Sequence, residues 1–139
     1  MPNLFVPQRD SVKTYATLQD LFDGYGATEA TLKINKEMTL TQATICPSTV
    51  SIEMVGAGKI TTNGFNYTQN GPFEAPLKQV FDVSGGGSII GLKVIYGEWH
   101  GMSTNETGAN NTTYFNNCIT SIVSNGEIFS PSGTLTAPS

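Results

Sequence analysis

The chain has 139 residues, enough for one domain that buries its own core. Only 13% of them are charged and the formal net charge is −4, so a main role in phosphate or nucleic-acid binding, which needs a surplus of Lys and Arg, is excluded. No apolar run is long enough to cross a bilayer, no basic amphipathic helix is present, and "MPNLFVPQRD" has neither region of a secretory signal, so no membrane partner is expected.

Asn, Thr, Ser and Gly stand where charges usually do. Thr suits strands and Asn and Gly suit tight turns, so the composition points to a mainly β domain. Residues 1–13, punctuated by Pro2 and Pro7, read as an irregular arm. "TYATLQDLFDGYG" then predicts a short helix. Tyr15, Leu18, Leu21 and Phe22 fall at helical spacing, Thr14 is placed to cap it, and Gly24 or Gly26 ends it.

From residue 29 the period changes. "ATLKIN", "MTLTQAT", "TVSIEMV", "GKITTNGFNYTQ" and "KQVFDV" are short alternating segments broken by Asn, Gly or Pro. Leu32-Lys33-Ile34 is echoed by Ser51-Ile52-Glu53, and Thr39-Leu40-Thr41 by Lys59-Ile60-Thr61. A recurrence of about 20 residues with several short strands per repeat is what a β-solenoid requires. A β-sandwich would show similar strands without needing the recurrence. The expected division is a single domain: arm and helix over 1–28, stacked short strands over 29–101, and a cap helix with a C-terminal strand and tail over 102–139.

Residues 73–101, "FEAPLKQVFDVSGGGSIIGLKVIYGEWHG", hold the only Trp (Trp99) and the only His (His100). Gly85-Gly86-Gly87 matches no phosphate-cradling pattern and precedes a strand-like segment, so it reads as a structural turn needing positive φ. Trp99 with Tyr96 has the makings of a sugar-stacking platform, but a plug over the open end of the strand stack is preferred. Phe73 and Phe81 join Tyr96, Trp99 and His100 as packing or interface positions. In "NNTTYFNNCITSIVSNG", Phe115, Cys118, Ile119 and Ile122 occupy i, i+3, i+4 and i+7, so they are expected to form the core face of a second helix. Asn110 or Asn111 would cap that helix and Asn125-Gly126 would end it, with a last strand in "EIFSPSGTLTA".

The order of these pieces resembles the N-terminal region of pectate-lyase-like, right-handed parallel β-helix proteins, which include phage tailspikes. The resemblance covers residues 30–137. It runs from "NGPFEAPLKQVFD" through Tyr96-Gly97-Glu98-Trp99-His100-Gly101 and the helix at 110–122 to Gly126-Glu127-Ile128-Phe129-Ser130-Pro131-Ser132-Gly133-Thr134. It departs from the family where Gly97 replaces Pro, His100 replaces Phe, and Asn110-Asn111 replaces an Asp pair. The chain ends where the family's long β-helix, with its catalytic groups and glycan groove, would begin. The resemblance implies a short right-handed β-helix-like domain with two capping helices, and a virion setting.

Chemistry is sparse. Glu53, Glu74, Asp82 and Glu98 show no paired pattern for glycoside hydrolysis, and no acidic cluster suggests a Ca²⁺-dependent lyase. His100 has no nucleophile-elbow sequence before it. One His with Cys46 and Cys118 does not supply a metal set, and those cysteines read as partly buried free thiols, although spacing alone does not decide whether they pair. Asn-x-Ser/Thr sequons at Asn66, Asn105, Asn110 and Asn111 follow from Asn/Thr richness. No catalytic residue, metal or cofactor is therefore expected. The expected role is a non-enzymatic structural protein of a phage-like virion, a tail or spike adaptor or a capsid decoration protein. It would assemble in the host cytoplasm with other virion proteins and with copies of itself, a trimer being favoured. The alternatives are a carbohydrate-binding module for a surface glycan and a degenerate polysaccharide-degrading enzyme.

Overall fold

The computed structural model describes residues 3–5 and 17–131. The fold is mainly β, with parallel sheets, two α-helices and no closed barrel among the described residues. After helix α1 (Leu18–Tyr25) come β2 (Ala30–Ile34), β3 (Glu37–Thr39) and β4 (Thr44–Cys46). The next three strands are β5 (Val50–Met54), β6 (Lys59–Thr61) and β7 (Tyr67–Gln69). A third set follows in β8 (Phe73–Glu74), β9 (Phe81–Asp82) and β10 (Ile89–Ile90). Each strand pairs in parallel with the one three places on. The three resulting sheets hold β2-β5-β8, β3-β6-β9 and β4-β7-β10, and the chain visits them in turn, one circuit per set. A short strand β1 (Asn3–Phe5) lies parallel to β2, so part of the arm expected to be irregular is a strand.

The echo between circuits misses the register in both sheets. Position for position it sets Leu32 against Ser51 and Leu40 against Ile60, whereas Leu32 lies opposite Ile52 and Met38 faces Ile60, offsets of one and two residues. The turn at 55–58 is two residues longer than the one at 35–36, which shifts the second sheet relative to the first. Alternation then turns Leu32, Ile52, Ile60, Phe81, Tyr67 and Ile89 inward as continuous columns, all fully or nearly fully buried.

Not every column is apolar. At the corner between β7 and β8, Tyr67 donates its hydroxyl to Gln69 Oε1. Gln69 Nε2 in turn donates to the carbonyls of Gly71 (2.9 Å) and Pro72 (3.2 Å) and approaches Cys46 Sγ at 3.5 Å. All three side chains are buried, so their polar atoms satisfy one another and the nearby backbone. Burial pushes the Cys46 thiol up to about 11 and raises the Tyr67 hydroxyl well above its ordinary value.

α1 is capped by Thr17, whose hydroxyl accepts from the Asp20 amide at 3.0 Å, and Gly26 (φ 56°) ends it. Thr14 and Tyr15, expected at its start, lie outside the described residues. Leu18, Leu21 and Phe22 pack into the first circuit. Gln19 grips the end strand β4 through its backbone: Oε1 accepts from Ile45 N–H (2.6 Å) and Nε2 reaches Ile45 C=O (3.5 Å).

At the other end the repeat breaks. β11 (Leu92–Tyr96) leads through a 3₁₀ turn (Gly97–His100) into α2 (Gly108–Ser121) and β12 (Ile122–Phe129), which returns parallel to β11. Two expectations fail here. Thr107, not Asn110 or Asn111, caps α2, and the helix stops at Ser121, so Asn125-Gly126 forms an irregularity in β12, with Asn125 at φ 68°. The core face is also different. Gly108, Asn111, Cys118 and Ser121 are buried, while Phe115 (40% exposed) and Ile119 (51%) sit on the flank and Ile122 already belongs to the strand. Small side chains let the helix lie close to the 3₁₀ turn, and that contact, rather than the largest apolar residues, sets its rotation.

The triple glycine is a turn between β9 and β10, with Gly86 at φ 99° and Gly87 at φ 85°. It stacks on the preceding circuit: Gly64 N–H and the Thr62 hydroxyl both donate to Gly86 C=O, at 3.0 and 2.6 Å. A Cβ on Gly87 would overlap the Phe65 backbone, whereas one on Gly56 (φ 53°) meets nothing within 4 Å. Gly87→Ala should therefore lower the unfolding free energy by more than about 2 kcal/mol and Gly56→Ala by about 1 kcal/mol, compared by urea denaturation.

Candidate functional site

Chain order brings Phe73 (β8), Phe81 (β9) and the Tyr96–His100 segment to the end of the stack that follows the third circuit. β8 and β9 are the last strands of their sheets, so their inward aromatic side chains have no further circuit above them. The 3₁₀ turn folds Trp99 onto that surface. Its ring lies 5.1 Å from Phe73, 5.2 Å from Tyr96 and 6.3 Å from Phe81, in edge-on arrangements that suit aromatic quadrupoles. Trp99 is 3% exposed, its Nε1–H donates to the Pro76 carbonyl (3.1 Å), and its own carbonyl accepts from Val80 N–H (3.0 Å). All five aromatic candidates thus meet in one cluster. Phe129, which sequence reasoning did not single out, stacks on Tyr96 at 5.2 Å and is exposed at the rim.

His100 is buried against Phe81, with ring centroids 5.3 Å apart. Its Nε2 lies 2.8 Å from Ser121 Oγ, and that hydroxyl donates to Asn117 C=O at 2.8 Å. The imidazole must then carry its proton on Nε2 and donate to the serine. This is the reverse of a nucleophile–base pair, in which the hydroxyl proton points at the ring. Both groups are buried. His100 Nδ1 and Glu98 Oε1 are buried without a hydrogen-bond partner. Burial lowers the His100 pKa to about 4, and burial with the nearby Glu98 charge raises the Cys118 thiol to about 12.

Ser121 and Asn111 were not legible as partners of this region. Asn111, expected as a cap or a sequon, is buried and clamps Ser103 through its amide, accepting from N–H (3.2 Å) and donating to C=O (3.0 Å).

Apart from Glu98, the carboxylates lie elsewhere. Glu53 and Glu74 are register neighbours on one sheet, with Lys33 Nζ 3.6 Å from Glu53 on an open face. Asp82 accepts from the Ser84 hydroxyl and amide, which lower its pKa, and Glu37 accepts from the Thr61 hydroxyl. A groove of about 470 Å³ between β8 and β11 is lined by Asn70, Phe73, Lys93 and Val94 among others, with Lys93 its one ionisable side chain. The thiols of Cys46 and Cys118 are free and buried. No group of three His, Cys, Asp or Glu residues is placed to hold a metal among the described residues, and no described helix is long and apolar enough to cross a membrane.

The buried histidine makes stability depend on pH. Its folded pKa is about 4 against an ordinary 6.5, so between those values the unfolded chain binds a proton that the folded chain refuses. Stability contributed by the neutral ring is complete above about pH 6.5 and is lost as pH falls toward 4, by about 3 kcal/mol in total. Urea denaturation at pH 7 and pH 4.5 should show most of that loss, and His100→Gln should flatten it.

No protein-family model, curated protein or solved structure matches this chain.

Proposed function

We propose that the three parallel sheets are a short right-handed β-solenoid and that the chain is a non-enzymatic assembly component of a phage-like particle. It acts as a tail or spike adaptor or a capsid decoration protein, docking on other virion proteins and on its own copies. The observation that carries this reading is the placement of Trp99. The chain's one indole is spent on closing the end of the strand stack, tied to Pro76 and Val80, rather than presented to a ligand. The same segment carries the motif order that resembles tailspike-type proteins. His100 and Ser121, the one pair among the described residues with the outline of catalytic machinery, are engaged in holding α2 to the 3₁₀ turn.

A carbohydrate-binding reading retains one foothold: the Tyr96–Phe129 pair, stacked and partly open at the rim of the cluster. The two readings separate on one substitution. Trp99→Ala should lower the unfolding free energy by about 3–5 kcal/mol and strip the protein from particles purified on a density gradient. An unchanged melting temperature with loss of polysaccharide retention would instead establish glycan binding.

A further inference from the structure

We infer that residues 103–124, with α2 at their centre, form a flap that swings off the end of the stack as one body, and that protonation of His100 promotes its opening. The device is independent of any assembly role.

α2 is thinly anchored. None of its fourteen residues is charged, so no side chain of the helix can tie it down by an ion pair. Only Cys118 among them joins the apolar core, while Phe115 and Ile119 are about half exposed. Opening therefore gives up little buried apolar area, as expected of an element with low local stability. The contacts at its N-terminal end are internal to the segment. Thr107 caps the helix and Asn111 clamps Ser103, so loop and helix move together.

Backbone suited to hinging stands at both ends. Gly101, at φ 106°, follows the 3₁₀ turn. Asn125-Gly126, with Asn125 at φ 68°, sits where the pairing of β12 with β11 jumps from Ile122 to Glu127. Beyond the Ile122–Leu92 pair and the Tyr114 ring lying over Gly101, the fastening is Ser121. Its hydroxyl accepts from His100 Nε2 and donates to Asn117 C=O, both at 2.8 Å.

That fastening suits a neutral ring. His100 is 2% exposed and its Nδ1 has no hydrogen-bond partner, so a second ring proton would bring a buried charge and a stranded donor. No described charged group is set against it. α2 brings Cys118 and Ser121, β9 brings the Phe81 ring, and Tyr96 of β11 packs on Trp99. Asp82 of β9 accepts from Ser84, Lys93 of β11 lines the open groove, and Glu127 of β12 is exposed opposite Val94. Glu98, in the turn itself, acts on the Cys118 thiol, whereas burial alone moves His100. An imidazolium here regains water only when the flap leaves.

The sign follows from the two states of the ring. Closed, it takes its proton at about 4; open, near the ordinary 6.5. Acid therefore favours the open form, by about twentyfold between pH 7 and pH 5.

The two buried thiols separate this motion from global unfolding, because Cys118 rides on the flap and Cys46 lies in the first circuit. The full chain is labelled with a dipyridyl disulfide, and peptide mass spectrometry gives the rate at each thiol relative to the urea-unfolded chain at the same pH. Cys118 should outpace Cys46 by roughly tenfold or more at pH 7 and accelerate about twentyfold at pH 5. His100→Gln should leave Cys118 ahead of Cys46 and remove the acceleration. Equal rates at the two thiols overturn the flap, since opening is then global. A wild-type Cys118 rate that does not rise in acid, or a rise that persists in His100→Gln, overturns the trigger. Hydrogen exchange of the wild type needs no variant. Protection over residues 108–121 should fall by the same factor from pH 7 to pH 5 and stay below that of β5; protection unchanged by acid, or equal to that of β5, overturns the inference as well.

Discussion

A parallel strand satisfies its backbone only when another strand lies on each side of it. Within the three circuits that partner is the next or the previous circuit, so the interior of the stack is secure and the two ends are where unpaired backbone and uncovered core accumulate. Most of what is irregular in the chain answers that constraint. At one end Gln19 supplies with its amide what a further strand would have supplied to Ile45, while Leu18, Leu21 and Phe22 cover the column tops. At the other, the carbonyl of Trp99 takes the Val80 amide and its ring covers Phe73 and Phe81. One end is closed by a helix, the other by a single indole on a turn of 3₁₀ helix.

This division explains why the aromatic-rich segment looks like a site in sequence. A capping plug and a binding platform draw on the same residues, because both need wide, rigid, amphipathic side chains. What separates them is burial, and burial is decided by Pro76 and Val80, which lie far back in the chain and carry no sequence signal of that role.

Period-2 segments and their echo made the strands legible, and the turn glycines and α1 followed from local chemistry. Register was not legible, because the echoed residues sit one position off in the first sheet and, after a turn longer by two residues between β5 and β6, two positions off in the second. The rotation of α2 was misread for a physical reason. Helical spacing of large apolar residues predicts a core face only when those residues are the ones buried, and here small side chains set the contact with the 3₁₀ turn. The His100–Ser121 pairing was invisible, since it depends on how a crossover returns β12 beside β11. Gln19, an ordinary surface-type residue by composition, gave no hint that it substitutes for a strand.

The buried trio of Cys46, Tyr67 and Gln69 bears on which of several near-equivalent stackings the chain adopts. Strands this short, with Thr, Ile and Val at many positions, can slide past one another at small apolar loss. Sliding by one residue would turn Tyr67 and Gln69 outward and leave the Gly71 and Pro72 carbonyls without their amide donor. Sliding by two would keep both inside but separate Gln69 from Cys46 in the adjoining circuit. The polar trio therefore works as a key cut to one alignment, and the greasy columns around it supply adhesion without choosing the notch.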